Sequence, residues 1–287
     1  MSCRRRATPL RRALGYPADS CFNRKTKGVM MMRRNLCAGL ALFAAGVLGG
    51  SVRPALADDA PAYQLPAGTP AYIRAAIEDP TRTPEQRARD ANRKPAELLI
   101  MSGIRPGQTV VEFASFGQYF TTFLSDIVGP KGTVYMYDLP YTDKRAGDAS
   151  RAFIAAHPNA HYQLVDYNTL ELPQAVDEVF MVLYYHDLFI NHIDTASLDA
   201  RIFKALKPGG IFFVVDHNAA PGSGTTDTPK LHRIDPAVIR KELIAAGFQL
   251  VNESKLLAHP GDDHTQIVFA PGLRGMTDQT VFVFRKP

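Results

Sequence analysis

The chain has 287 residues, with 33 Lys and Arg against 28 Asp and Glu, and its three cysteines are Cys3, Cys21 and Cys37. That length permits one large domain or two small ones, and the basic excess is confined to residues 1–57, which hold 11 of the 33 basic residues and one acid, Asp19. The rest, 22 basic against 27 acidic residues, carries a net charge of −5, which gives no support to nucleic-acid binding, and has no thiol, which excludes a disulfide, a cysteine nucleophile and a thiolate metal site.

Residues 1–29 are Arg-rich without apolar periodicity and read as sequence upstream of the true start. A basic head at 30–34, an apolar run at 36–50 and the small-residue site Ala55-Leu56-Ala57 are the three parts of a secretory signal peptide. The apolar run is shorter than the ~20 residues a spanning helix needs. Together these features predict a leader over 1–57, cleavage after Ala57, a periplasmic or secreted product, and no stable membrane span after cleavage. Arg33-Arg34-Asn35-Leu36 is a faint twin-arginine match. Residues 58–69, rich in Ala, Pro and Asp, predict a tether, and 70–287 the folded domain.

Residues 70–101 predict a polar helical extension, with Pro84 in a first helical turn and Pro95 opening a further helix. The short β-branched run 109–113 predicts a buried strand. Phe120, Phe123, Leu124 and Ile127 share one helical face before Gly129-Pro130. Strands follow at 133–137, 161–165, 178–184 and 211–215, with helices over about 144–156 and around Leu198 to Leu206. Pro208-Gly209-Gly210 predicts a turn, and Asp235, Pro236 and Gly247 bracket a last helix before strands at 249–257 and 280–284. Alternation at this spacing means βαβ units. The predicted fold is α/β, a doubly wound, mostly parallel seven-stranded sheet with an N-terminal helical extension.

In such a sheet, ligands bind beyond the carboxyl ends of the strands. The residues leaving those ends are 112–118, Asp138, Asp166-Tyr167, Tyr185-His186-Asp187 and Asp216-His217-Asn218. Asp138, 21 residues after Gly117, is placed to accept both hydroxyl hydrogens of a ribose, with a solvated loop aspartate as the alternative. Asp166-Tyr167 can flank an adenine or form a solvated turn.

The ordered set of 111–119, Val134 to Asp138, Leu206-Lys207-Pro208-Gly209-Gly210 and Ala246-Gly247-Phe248 resembles class I S-adenosylmethionine-dependent methyltransferases. More narrowly, Arg93-Lys94-Pro95, Tyr185-His186-Asp187-Leu188, Asp216-His217, His232-Arg233-Ile234-Asp235 and Thr277-Asp278 resemble a group of signal-peptide-bearing bacterial methyltransferases. The likeness runs from about residue 71 to the C-terminus. It implies S-adenosyl-L-methionine as cofactor, contacted by Glu112, Ala114, Gly117, Asp138, Asp166 and Tyr167. It also shows a departure. The family's first motif is an acid followed by alternating glycines, and here Ala114, Phe116 and Gln118 occupy those positions. The Phe116 ring must point away from the cofactor's methionine moiety or fill its space.

Methyl transfer requires alignment of an acceptor lone pair and, where needed, removal of a proton. His186 and His217 are the candidate bases, each with a structural role as the alternative, and Asp187 completes the candidate catalytic set. Asp187, Asp216 and Asn218 are similar to the magnesium ligands of catechol-type methyltransferases, and His186, His217, His232 and His264 are an alternative set for a transition metal. None has tight ligand spacing, and no metal is expected. The predicted activity is methyl transfer to a small molecule or cell-envelope acceptor. The alternative is a non-catalytic methyltransferase-fold relic serving as an envelope binding module. Tyr119, Tyr137, Tyr167, Tyr184 and Tyr185 suit either a flat apolar substrate or the packing of the core. The acceptor and the oligomeric state are not legible in the sequence.

Overall fold

The computed structural model describes residues 63–287. The leader, the cleavage site, the three cysteines and the first residues of the expected tether lie outside the described residues. What is described of that tether is packed down: the Tyr63 hydroxyl donates to Glu97 and accepts the Ala96 N–H at 3.0 Å, and Leu65 packs on the core.

Four short helices open the domain: α1 (Ala71–Glu78), α2 (Pro84–Arg87), α3 (Asp90–Arg93) and α4 (Pro95–Ser102). The first two prolines of this region that begin helices, Pro84 and Pro95, do so where a missing N–H costs nothing. The Thr83 hydroxyl and the Gln86 side chain close a capping box at α2. Buried Arg82 makes a two-pronged ion pair with Asp90 at 2.9 and 2.7 Å, which also accepts from the Tyr119 hydroxyl.

The alternating part comprises β1 (Thr109–Phe113), α5 (Tyr119–Val128), β2 (Thr133–Asp138), α6 (Asp148–Ala156), β3 (Ala160–Leu164), β4 (Val176–Val182), α7 (Tyr185–Ile190), α8 (Thr195–Ala205), β5 (Leu206–His217), α9 (Thr228–Leu231), α10 (Pro236–Ala245), β6 (Gln249–Ser254) and β7 (Gln279–Arg285). The seven strands form one sheet in the order β3-β2-β1-β4-β5-β7-β6. Neighbours from β3 to β5 are parallel, while β7 runs antiparallel to both β5 and β6. This is the expected doubly wound, mostly parallel architecture.

The inner strands are apolar on both faces because helices cover both, whereas the edge strands β3 and β6 are largely exposed. Val111, Phe113, Val179, Met181, Phe212, Val214, Phe282 and Phe284 face one core layer, with Leu198 and Ile202 of α8 and Ile239 and Leu243 of α10. Their immediate neighbours Val110, Phe180, Phe213, Val215, Val281 and Val283 face the other, against α1, α4 and α5. The period of two along each strand assigns adjacent residues to opposite layers.

Two local expectations are corrected. The Pro208-Gly209-Gly210 turn lies inside β5: Leu206 already pairs with Val176, and the register shifts before Glu178 meets Ile211. Gly209, at φ 82, is the residue that absorbs this irregularity. The strand expected through Tyr184 ends at Val182, and Tyr185-His186-Asp187 form the first turn of α7. Its Tyr184 N-cap offers no side-chain acceptor, and the His186 N–H is taken instead by Asp216 Oδ2 at 2.7 Å, from β5. A cap borrowed from another strand leaves no local signature.

Candidate functional site

The carboxyl ends of β1, β2, β4 and β5 bring two groups of residues together. The first surrounds the turn after β1. Ala114 and Gln118 have φ values of 59 and 46, and Gly117 has 93. Only Gly117 adopts that region without side-chain strain, and no atom lies within 4 Å of where its Cβ would be. The backbone there is open to a ligand.

Asp138, at the end of β2, is 0 % exposed and accepts from the Ser115 hydroxyl at 3.1 Å, while its Oδ2 has no partner among the described residues. Burial pushes its carboxyl up to about 6, against the lowering effect of the Ser115 and Phe116 donors. A buried carboxylate oxygen without a donor is costly, and a ribose hydroxyl would supply one. In this respect the residues present fit a nucleoside-bearing cofactor.

Other residues expected to contact the cofactor also make bonds within the protein. Glu112 is buried with the Thr121 hydroxyl 2.6 Å from its Oε2; burial pushes it up to about 8, so it is mostly protonated at neutral pH. Tyr167 is fully buried. Its hydroxyl donates to the Tyr137 carbonyl at 2.5 Å and accepts the Ala114 N–H at 3.2 Å, clamping the end of β1 to β2. Asp166 is exposed and accepts the Asn168 N–H at 2.9 Å, the turn alternative. Phe116 packs edge-on to Tyr184 at 6.0 Å, with the Arg145 guanidinium 5.1 Å from its centroid, and Gln118 donates to Ser150. Tyr184 in turn meets Tyr167, and Tyr167 meets Phe113, so an aromatic row crosses the strand ends.

The second group gathers His186, Asp187, Asp216, His217 and His232. His186 is 2 % exposed, with Nδ1 2.6 Å from Asp216 Oδ1 and Nε2 3.1 Å from Asp187 Oδ1. Burial alone would lower its pKa; the two carboxylates outweigh burial and hold it up at about 10. The two carboxylates therefore favour the protonated form of the His186 ring. Burial would raise Asp187, but its bonds to His186 and His232 hold it well below the usual carboxylate range. His217, 5.8 Å from His186 between ring centres, is lowered well below its ordinary value by burial first and by the charges of His186, Arg233 and Arg93 after it. It is neutral, with Nδ1 2.7 Å from the Thr277 hydroxyl.

The magnesium set does not assemble. Asp216 stands behind His186, and the Asn218 amide donates to Asp278. His264 lies apart from the cluster, with Nε2 3.1 Å from Asp278 Oδ2. Sequence reasoning missed the floor of this site: Arg233, 0 % exposed, pairs in two-pronged fashion with Asp262 and donates to the Asn218 carbonyl, fastening loop 255–278 to the end of β5. The buried arginine was visible in the sequence as part of a motif, but its partner 29 residues away was not.

Sheet order, helices on both faces and an open turn after β1 invite comparison with known folds. A putative sarcosine dimethylglycine methyltransferase from Galdieria sulphuraria superposes with a TM-score of 0.50 at 12 % identity, over 70 % of this chain and 87 % of that one. A putative methyltransferase in complex with the Haloferax volcanii Trm112 activator gives 0.50 at 16 %, over 76 % and 98 %. The fold is that of the class I methyltransferases. The [4+2]-cyclase SpnF superposes equally well, with a TM-score of 0.50 at 16 % identity over 69 % of this chain and 82 % of its own, so the class I methyltransferase fold by itself does not fix the reaction. Among curated proteins, the ubiquinone/menaquinone biosynthesis C-methyltransferase UbiE of Vibrio vulnificus strain YJ016 is 31 % identical over 115 residues, 40 % of this chain. The match spans 43 % of that relative's length. UbiE of Pasteurella multocida is 26 % identical over 185 residues, covering 55 % of this chain and 68 % of that protein. No family model matches the chain.

Proposed function

We propose that the protein binds S-adenosylmethionine at the ends of β1 and β2 and directs its methyl group to a small-molecule or cell-envelope acceptor over β4 and β5, outside the cytoplasm. The observation that carries this reading is Asp138: a fully buried carboxylate, hydrogen-bonded to the turn after β1 and left with one oxygen for an external donor. Bound S-adenosylmethionine supplies an activated methyl group. This chain supplies position and proton control. Asp138 would hold the ribose and the open backbone at Gly117 would lie along the cofactor. The two candidate bases stand differently: the carboxylates beside His186 favour a proton on its ring, whereas burial disfavours one on His217. The aromatic row from Phe113 to Phe116 suits a flat apolar acceptor, in line with the quinone-pathway C-methyltransferases that the sequence partly matches. Export rests on the signal-peptide pattern of 30–57.

Phe116 supports a second reading, a binding module that has lost catalysis, because its ring occupies a position where the resembling family keeps glycine. Calorimetric titration of S-adenosylhomocysteine separates the two. Micromolar binding by the purified protein is the expected result. Absence of binding at millimolar ligand, with binding restored in Phe116→Gly, would instead establish the relic.

A further inference from the structure

Three ligand-type atoms converge at the partly open side of the second group. His186 Nε2 lies 3.1 Å and His232 Nδ1 2.9 Å from the same Asp187 oxygen, and the three lie within 4.8 Å of one another. Two come from the first turn of α7, and the third from the residue that ends α9.

The backing of His186 settles what its ring presents. Asp216 takes the His186 main-chain N–H with one oxygen and faces ring Nδ1 with the other. A carboxylate only accepts, so Nδ1 carries a proton. Nε2 then turns towards Asp187 Oδ1, another acceptor. Two lone pairs 3.1 Å apart require a cation shared between them, either a second ring proton or a metal ion. A carboxylate behind a histidine with its far nitrogen turned to a ligand oxygen is the arrangement that orients metal-binding imidazoles.

His232 adds an independent observation. It sits at φ 54, in the left-handed region. Helix ends that need this conformation ordinarily use Gly or Asn, and a histidine there costs on the order of 1 kcal/mol or more. The conformation delivers its imidazole to Asp187, and its side chain, 26 % exposed, gives an ion access from solvent.

We propose that His186, Asp187 and His232 form a three-ligand site for a divalent transition-metal ion of the zinc type, with Asp216 as the positioning residue behind His186. Two imidazole nitrogens and one carboxylate favour such an ion over magnesium or calcium, which prefer oxygen donors. Three protein ligands leave a coordination position for a water or an acceptor oxygen, whose proton the ion would loosen. The existence of the site does not depend on methyl transfer; only this use of it rests on that reading.

The test is calorimetric titration of zinc(II), then magnesium(II), into the chelator-treated purified protein, without S-adenosylmethionine. One zinc per chain with a Kd in the micromolar range or below is expected, with magnesium at least a hundredfold weaker. His232→Ala, a partly exposed position that leaves the core intact, should weaken zinc at least tenfold, and Asp216→Asn by ten- to a hundredfold. Cobalt(II) bound in place of zinc should give visible ligand-field bands that His232→Ala alters. No zinc binding by the folded protein, or zinc binding unchanged in His232→Ala, would overturn the proposal. Cofactor binding read separately tells failure of this site from failure of the methyl-transfer reading.

Discussion

Asp138 shows how much one side chain can carry in this protein. It lies inside, yet half of its hydrogen-bonding capacity is unused by the described residues. A hydrogen bond to a charged group contributes about 1.5–3 kcal/mol. Asp138→Asn keeps the shape and gives up the charge, so it should weaken S-adenosylhomocysteine about tenfold or more by calorimetry while the protein stays folded. An unchanged affinity would remove Asp138 from the cofactor site. His186 and His217 make the complementary point: at adjacent strand ends, two carboxylates outweigh burial and raise the first, while burial, joined by nearby cations, lowers the second.

Among elements, the long connection between β6 and β7 is the least expected piece of order. It has no helix or strand across 255–278, yet Asp262 in it pairs with fully buried Arg233, and Asp278 receives bonds from Asn218 and His259. Removing one partner of a buried pair costs about 3–5 kcal/mol. Arg233→Ala should therefore lower the thermal midpoint by roughly 10 °C at about 2–4 °C per kcal/mol for a domain of this size. Limited proteolysis should then cut within 255–278 first. Loss of stability with no preferential cleavage there would mean that the pair supports the sheet rather than the connection. The α7 N-terminus depends on tertiary structure in the same way, since Asp216 caps it from β5.

For the molecule as a whole, buried acids set the pH dependence of stability. The Tyr185 hydroxyl lies 2.7 Å from Asp199 and 2.8 Å from Glu242, linking α8 to α10. A single hydroxyl proton cannot serve two carboxylates, so one acid keeps its own. Burial, joined by Glu242's charge, pushes Asp199 up to about 8 despite the Tyr185 bond. Its folded pKa is thus above the unfolded value of 3.8. The unfolded chain holds fewer protons between those two values, so this contribution is fully present below pH 3.8 and is lost as pH rises towards about 8. Glu112, also up at about 8, acts with the same sign. Thermal midpoints measured from pH 5 to 9 should fall with rising pH. Asp199→Asn, whose amide can still donate to Tyr185, should flatten the slope and be the more stable form at pH 9. Parallel curves would assign the slope to other groups.

The sequence by itself determined the alternation of strands and helices, because apolar periodicity and proline and glycine positions are local. Thr109–Phe113 came out as a strand with its expected bounds, and Asp235 caps α10 as expected. It also placed the candidate residues at or near the carboxyl ends of the strands, since direction along a parallel strand is fixed by chain order, although Glu112, Asp216 and His217 lie within their strands. Tertiary structure alone decided their chemistry. Tyr167 reads as a cofactor contact by position and becomes a clamp because its hydroxyl reaches Tyr137 and Ala114. His186 reads as a base by position, and its proton affinity is raised because Asp216, 30 residues away, and Asp187 flank its ring. Protonation, metal affinity and cavity shape depend on which groups stand within a few ångströms, and that proximity arises from how the sheet is ordered, not from spacing along the chain.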